Sequence, residues 1–110
     1  MTTEFQGTFK ALADPTRRAI LVYLRSGDMT IGEVVTKFDI TRAAVKKHLT
    51  ILEQGHLISV HQRGRERINH LELDGLLPVS DWISRFDEYW DERLAALQSA
   101  IERKEDEHDT

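Results

Sequence analysis

Six basic side chains fall within residues 41–67 of this 110-residue chain, where only two acidic side chains occur. The whole chain has a formal net charge of −4, and residues 81–110 contain ten acidic and four basic side chains. Because local charge decides what a surface attracts, the middle of this acidic chain predicts a surface that attracts polyanions. The six basic residues are Arg42, Lys46, Lys47, Arg63, Arg65 and Arg67.

A helix is predicted over about residues 41–54, which include three of the basic side chains. Thr41 is its predicted N-cap and Gly55 ends it. Apolar residues at three- and four-residue intervals predict one buried face, formed by Val45, Leu49 and Leu52. The opposite face then carries small, polar and basic side chains, namely Thr41, Arg42, Ala43, Lys46, Lys47 and Thr50.

The other three basic side chains surround a predicted turn. Residues 57–63 and 66–73 read as two antiparallel strands, with Gly64 and Arg65 at the turn between them. The alternation of apolar and polar residues is imperfect in the second strand, so the sequence leaves its register open. A hairpin with a basic tip over residues 63–67 is therefore predicted.

A short predicted helix, residues 31–38, precedes the basic helix, and about three residues join the two. Thr30 and Glu33 have the spacing of a capping box at its start. Two such helices, the second narrow and basic on its outer face, predict a helix-turn-helix that binds double-stranded DNA. The basic helix would enter the major groove, with Arg42 reading a base, and the hairpin would follow the backbone or the minor groove.

Three side chains near this predicted surface allow two interpretations each. His48 flanks the buried face of the basic helix, so it either meets a DNA phosphate or forms a hydrogen bond inside the domain. We include it among the predicted DNA-binding residues. Arg17 and Arg18 either touch DNA or only cover the second predicted helix, which begins with Asp14 as cap and Pro15 at its first position.

The last predicted helix, beginning near Leu77, carries an apolar stripe that is longer than a domain of this size needs for its own core. A second copy of the chain would cover the excess, so we predict a homodimer formed through the first and last helices. The predicted interface residues are Phe5, Phe9, Trp82, Phe86, Tyr89, Trp90, Leu94, Leu97 and Ile101. We expect one domain over residues 1–102, followed by a charged, disordered tail over residues 103–110.

Three segments together resemble the ArsR family of bacterial repressors. They are residues 9–21 (FKALADPTRRAIL), residues 41–53 (TRAAVKKHLTILE), and the pair LI at 57–58 with RGRER at 63–67. The resemblance implies a mainly helical winged helix-turn-helix fold with a small antiparallel hairpin. It also implies dimerisation through the first and last helices and binding to a pseudo-palindromic operator, usually for repression.

The chain departs from this family at two kinds of position. Many members have a serine where this chain has Lys46, and a small polar residue or glutamine where it has Arg42, so the operator cannot be copied from a relative. The chain also has no cysteine, which excludes the thiolate metal sites of metal-sensing members. Carboxylates of the last helix could bind a hard cation but lack imidazole or thiolate partners, so we expect no metal site.

The other functional classes have weaker support in the sequence. The chain has no glycine-rich phosphate loop and no G-x-S-x-G motif, and we expect neither an enzyme nor a bound cofactor. It has no membrane span and no recognisable secretion signal, which favours a cytoplasmic protein. Two alternatives stay open: a winged-helix module that binds only proteins, and a repressor that responds to a metal through carboxylates. The sequence also allows an unknown small-molecule effector for a DNA-binding repressor.

Overall fold

The structure, a computed structural model, describes the backbone of residues 2–108 and the side chains of residues 6–106. It is mainly helical with one small antiparallel sheet, as predicted, and its described residues form two units that divide between Val79 and Ser80. The elements are α1 (Thr2–Leu12), α2 (Pro15–Leu24), β1 (Met29–Thr30), α3 (Ile31–Val35), α4 (Arg42–Gln54), β2 (Ile58–Arg63), β3 (Glu66–Leu71), a 3₁₀ helix (Leu73–Leu76), α5 (Leu77–Ser84) and α6 (Asp87–His108).

The corner between α1 and α2 has the predicted cap. The Asp14 carboxylate accepts a hydrogen bond of 3.0 Å from the Arg17 backbone N–H, and Pro15 occupies the first helical position. This bond, a backbone donor to the charged form, lowers the pKa of Asp14 below its ordinary value. Because Asp14 satisfies a donor that the helix leaves free, α2 begins at a defined residue.

Arg17 and Arg18 cap the end of α1. The Arg18 guanidinium donates to the Leu12 carbonyl over 2.8 Å, and that of Arg17 donates to the carbonyls of Lys10 and Ala11. The last carbonyls of a helix have no partner within it, so cationic donors there stabilise the helix end. Of the two interpretations of this pair, the structure favours a role within the fold.

The core of the first unit lies between α2, α3, α4 and the sheet. Its largest fully buried side chains are Ile20, Val34, Val45, Leu52 and Leu57. Tyr23, which the helical spacing predicts as buried, is instead exposed, and Leu21 is buried in its place. Tyr23 packs edge to face against the Phe38 ring, with the ring centroids 5.6 Å apart, and its hydroxyl needs no buried partner there.

The sheet has three strands in the order β1-β3-β2, all antiparallel, and not the two of the predicted hairpin. Ile58 pairs with Leu71 and Arg63 with Glu66, which settles the register. The second strand ends at Leu71 and not at residue 73, because the 3₁₀ helix begins there. Its alternation is imperfect because Ile68 and Asn69 are both buried.

Two polar contacts join the sheet to the segment before it. The side-chain amide of the buried Asn69 on β3 donates to the Met29 carbonyl on β1 over 3.1 Å, which satisfies this buried amide. His70 lies 2.7 Å from the Asp28 carboxylate, in the turn after α2. This hydrogen bond favours the charged imidazole and raises the pKa of His70 above its ordinary value.

The second unit is helical but differs from the single long helix that was predicted. Arg85 and Phe86 donate to the carbonyls of Trp82 and Ile83, three residues earlier, and this tighter pattern ends α5. α6 then continues through His108, beyond the predicted domain end at 102. Residues 103–108, predicted as a disordered tail, are therefore helical; they are rich in Glu, Lys and Arg, which favour helix. Residues 109–110 lie outside the described residues.

Candidate nucleic-acid interface

α3 and α4 form the predicted pair of capped helices. The Thr30 hydroxyl accepts from the Glu33 backbone N–H over 3.2 Å, and the Glu33 carboxylate accepts from the Thr30 N–H over 3.1 Å. This confirms the capping box. The Thr41 hydroxyl accepts from the Ala44 N–H over 3.1 Å and caps α4 as predicted. α3 ends at Val35, earlier than the predicted residue 38, so the connection to α4 is longer than expected.

The core fixes which face of α4 is turned outward. Val45, Leu49 and Leu52 are buried, as predicted, against the rest of the first unit. Side chains about half a turn away on a helix must then face solvent. All six residues predicted for the outer face are exposed: Thr41, Arg42, Ala43, Lys46, Lys47 and Thr50.

The end of α4 is held by an unusual pair of residues. Leu57 donates its backbone N–H to the Leu52 carbonyl, and His56 donates to that of Glu53. This is a Schellman motif, and its left-handed residue is His56, with φ of 61°. Gly55, predicted to end the helix, has φ of −83°, so glycine is not required there for its backbone angle.

Gly55 is required for close packing with α1. A Cβ added at Gly55 would lie 2.8 Å from the Gly7 carbonyl oxygen, nearer than real Cβ atoms approach. The buried Thr8 hydroxyl donates to the Gly55 carbonyl over 3.1 Å. α1 therefore holds the C-terminal end of α4, a contact that the sequence did not predict because neither glycine has a local pattern.

The hairpin of β2 and β3 carries the other basic side chains at its tip. Gly64 has φ of 62°, which favours glycine, and its carbonyl accepts from the Gln62 side-chain amide over 3.0 Å. Arg63, Arg65 and Arg67 surround this turn and all three are exposed.

A groove of about 250 Å³ separates α4 from this hairpin. Arg42 and Lys46 line it from α4, and Arg67 lines it from β3. None of the six basic side chains forms an ion pair with a carboxylate of the described residues. The structure thus places two basic residues of α4 and one of the hairpin along the same groove, which the acidic Glu53 also lines.

His48 makes its contact inside the first unit. Its Nδ1 lies 3.3 Å from an Nη1 of Arg17 and 3.9 Å from the Asp14 carboxylate. The side chain is half-buried, with 21% of it exposed. The interpretation of His48 as an internal hydrogen-bonding residue is therefore supported, although this contact uses only one of its two ring nitrogens.

The residues predicted for the dimer interface are exposed wherever they are described. Phe9 of α1 is exposed, while the side chain of Phe5 lies outside the described residues. α5 and α6 carry the rest, and every one has at least two fifths of its surface exposed: Trp82, Phe86, Tyr89, Trp90, Leu94, Leu97 and Ile101.

Among the described side chains, no three histidine, aspartate or glutamate residues lie in an arrangement that could hold a metal ion. Within residues 2–108, no helix has the length and apolar character to cross a membrane. The absence of a metal site stays a prediction.

Comparison with known proteins addresses the same surface. The family model of the ArsR bacterial regulatory proteins matches residues 14–60, which include α2, α3 and α4. The transcriptional repressor SdpR of Bacillus subtilis is 40% identical over 78 residues, covering 71% of this chain and 87% of SdpR. This chain belongs to the ArsR family. It is a winged helix-turn-helix transcriptional regulator, as its sequence predicts.

Two further relatives of this ArsR-family regulator extend the match beyond the helix-turn-helix. The HTH-type transcriptional regulator Rv2034 of Mycobacterium tuberculosis is 31% identical over 99 residues, covering 90% of each chain. A crystal structure of an ArsR family transcriptional regulator has a TM-score of 0.74 at 35% identity, covering 83% of this chain and 94% of the other. The ArsR assignment therefore includes the wing and part of the C-terminal helices.

Proposed function

We propose that this ArsR-family regulator represses transcription by binding a pseudo-palindromic operator as a homodimer. One observation carries the proposal: six basic side chains on α4 and on the hairpin tip are exposed and without carboxylate partners among the described residues. DNA phosphates would supply anionic partners for these side chains, and binding would release counterions from the duplex. Such a repressor acts on the bacterial chromosome and therefore in the cytoplasm.

In this proposal α4 is the recognition helix and lies in the major groove. Its outer face is small at Ala43, which allows close approach to the base edges, and it offers donors at Lys46 and Lys47. The Thr50 hydroxyl donates its hydrogen to the Lys46 carbonyl and is left with an acceptor oxygen. Arg42 lies in the first turn, where a side chain reaches a base edge most easily. We assign it to a base, with guanine as the partner that suits two guanidinium donors.

The hairpin tip is the wing, and it follows the backbone or the adjacent minor groove. Arg63, Arg65 and Arg67 supply its charge, and Arg67 shares the groove with the recognition helix. Phosphate contacts from both elements would fix the orientation of α4 in the major groove.

The homodimer forms through α1, α5 and α6. The apolar side chains of α5 and α6 repeat at helical intervals and remain exposed in a single chain. Contiguous apolar surface of this extent marks an interaction site. Twofold symmetry would place two recognition helices roughly 34 Å apart, one turn of DNA, which matches a palindromic operator.

The proposal is tested by selecting bound sequences from random duplexes and then titrating salt. If half of the six basic residues in each protomer meet phosphates, the slope of log affinity against log salt is about −5. Lys47→Ala should reduce the magnitude of this slope by about 2, since each protomer loses one phosphate contact. Lys104→Ala on α6 also removes one positive charge per protomer and should leave the slope unchanged.

Two outcomes would reject the proposal. Absence of duplex binding at low salt would remove DNA as the ligand and leave a winged-helix module that binds proteins. An equal effect of Lys47→Ala and Lys104→Ala would show that total charge, and not the surface of α4 and the wing, determines the affinity.

A further inference from the structure

Arg17 and His48 join two helices that the DNA-binding surface depends on. Arg17 lies in α2 and His48 in α4, and Nη1 of Arg17 is 3.3 Å from Nδ1 of His48. A guanidinium group has only donors and does not lose its proton in proteins, so Nδ1 must accept this hydrogen bond. A ring whose Nδ1 accepts is neutral and carries its proton on Nε2.

The Arg17 guanidinium is held in place by the end of α1. Its Nε donates to the Ala11 carbonyl over 2.7 Å, and its other terminal nitrogen donates to the Lys10 carbonyl over 2.9 Å. The group is planar, so these two bonds also fix the direction of the Nη1 donor toward His48. Arg17 therefore acts on His48 from a position that does not depend on His48 itself.

The Asp14 carboxylate also lies near this ring. It lies 3.9 Å from Nδ1, too far for a hydrogen bond, and it already accepts from the Arg17 backbone N–H. Of the two groups, the Arg17 guanidinium is therefore the hydrogen-bond partner of Nδ1.

The second ring nitrogen of His48 is open to solvent. Nε2 has no hydrogen-bond partner among the described residues, and none of their buried side-chain nitrogens or oxygens lacks a partner. Because Nε2 has no partner and no buried side-chain atom of the described residues lacks one, Nε2 is at least partly accessible to solvent. His48 directly follows Lys47 on α4, at the border of the exposed face.

We propose that the Nε2–H of His48 donates a hydrogen bond to an operator phosphate, and that Arg17 is the positioning residue that keeps the proton on that nitrogen. The two interpretations of His48 then describe the two sides of one ring: Nδ1 binds within the protein and Nε2 binds DNA. This inference rests on the proposed function, since it needs α4 on a duplex.

A neutral donor and a cation affect the salt dependence of operator affinity differently. A lysine that meets a phosphate releases counterions and steepens the salt dependence, whereas a neutral imidazole releases none. Loss of the His48 contact should therefore lower the affinity at every salt concentration and leave the slope unchanged. A hydrogen bond to a charged acceptor corresponds to a change on the order of tenfold for each half-site.

Two substitutions at His48 separate its two nitrogens. The amide nitrogen of glutamine reaches about as far as Nε2, so His48→Gln should keep the donor and bind nearly as well as wild type. Asparagine is shorter and offers a polar atom only near the position of Nδ1, so His48→Asn should lose about tenfold per half-site. Thermal unfolding of both variants checks that α4 stays folded.

The phosphate itself can be located with the selected operator. Single methylphosphonate substitutions along the backbone should include one position per half-site that weakens wild type but has no further effect on His48→Asn. Such coupling identifies a direct contact, because a general loss of stability would be additive with every backbone position.

The role of Arg17 is read from the ring nitrogens of the full-length wild-type protein by ¹⁵N NMR, which should find the proton of His48 on Nε2. Arg17→Gln should populate both tautomers and weaken operator binding. Arg18→Gln is the matched control, because Arg18 also caps α1 but makes no contact with His48; its operator affinity should equal that of wild type.

The outcomes distinguish this inference from the function it rests on. If wild type binds no duplex, both fail together. If wild type binds with the expected salt slope while His48→Asn and His48→Gln bind equally well, or if the ring proton is found on Nδ1, the inference fails and the proposed function stands.

Discussion

At the scale of single residues, Arg42 differs from the other cations of the surface. It lies in the first turn of α4 and lines the groove between that helix and the wing. A Cβ added at Gly32 of α3 would be 3.9 Å from Nη1 of Arg42, so the guanidinium group lies over the N-terminal part of α3. A side chain in the first turn of a recognition helix reaches a base edge more easily than one farther along the helix.

Arg42→Ala should therefore reduce sequence discrimination. We expect a loss of about 1–3 kcal/mol between the preferred base and its competitors at one position of each half-site, because two guanidinium donors match guanine. The measurement compares the affinities of variant and wild type for duplexes that differ at that base pair.

Lys47→Ala is the comparison for Arg42→Ala, since it removes a charge from the same helix face. A phosphate contact carries no sequence information, so Lys47→Ala should weaken all duplexes by a similar factor. If Arg42→Ala behaved in the same uniform way, Arg42 would be a phosphate contact and the assignment to a base would be wrong.

At the scale of elements, the position of α4 depends on how its ends are held. Thr41 caps the N-terminal end, and the C-terminal end lies against α1 through Gly55 and Thr8. The left-handed residue of this end is His56, whose Cβ makes that conformation unfavourable by roughly 1 kcal/mol relative to glycine. Glycine is therefore needed at position 55 for close packing against α1, whereas the backbone conformation that favours glycine occurs at position 56.

A substitution at Gly55 and a substitution at His56 should have opposite effects on the free energy of unfolding. Gly55→Ala places a Cβ against the backbone of Gly7 and should lower the free energy of unfolding by about 1–3 kcal/mol. His56→Gly relieves the positive φ and should raise it by a few tenths to about 1 kcal/mol. Urea denaturation at constant protein concentration measures both.

Gly64→Ala is the control for these two variants. Gly64 also has a positive φ, but an added Cβ would meet nothing within 4 Å. This variant should therefore show only the backbone cost of about 1 kcal/mol, without a clash. A stability of Gly55→Ala equal to that of wild type would contradict the proposed role of the close approach between α1 and α4.

At the scale of the whole molecule, the chain leaves its largest aromatic side chains exposed. Trp82 packs edge to face against Phe86, and Tyr89 against Trp90, yet each keeps close to half of its surface exposed. Leu94, Leu97 and Ile101 continue the same apolar series along α6. Burial of a leucine or isoleucine side chain contributes about 1.5–3 kcal/mol. A dimer in which a second copy covers this series would therefore be strongly stabilised.

Leu97→Glu should convert the protein to a monomer and weaken operator binding, since a monomer contacts only one half-site. Ser99→Glu introduces the same charge two residues along α6, roughly on the opposite face of the helix, and should stay dimeric. Analytical ultracentrifugation over a range of concentrations measures both. A wild-type protein that is monomeric at tens of micromolar, or a Leu97→Glu variant that remains a dimer, would exclude this interface.

The sequence by itself determined the parts of the protein that depend on local chemistry. Caps such as Asp14, Thr30 and Thr41 act within three residues, and the apolar face of α4 repeats at helical intervals, so both could be predicted. The basic surface could be predicted because its six residues lie on two neighbouring elements, Arg42 on α4 and Arg65 at the wing among them. The family resemblance rests on the same segments.

The tertiary structure decided what depends on contacts distant in sequence. The strand β1 has two residues and forms only because β3 lies beside it, and the buried Asn69 amide has a partner only because a carbonyl of β1 accepts its hydrogen bond. The division between α5 and α6 has no breaking residue in the sequence. Above all, Arg17 and His48 are 31 residues apart, and only the tertiary structure shows that Nδ1 of His48 is used within the fold.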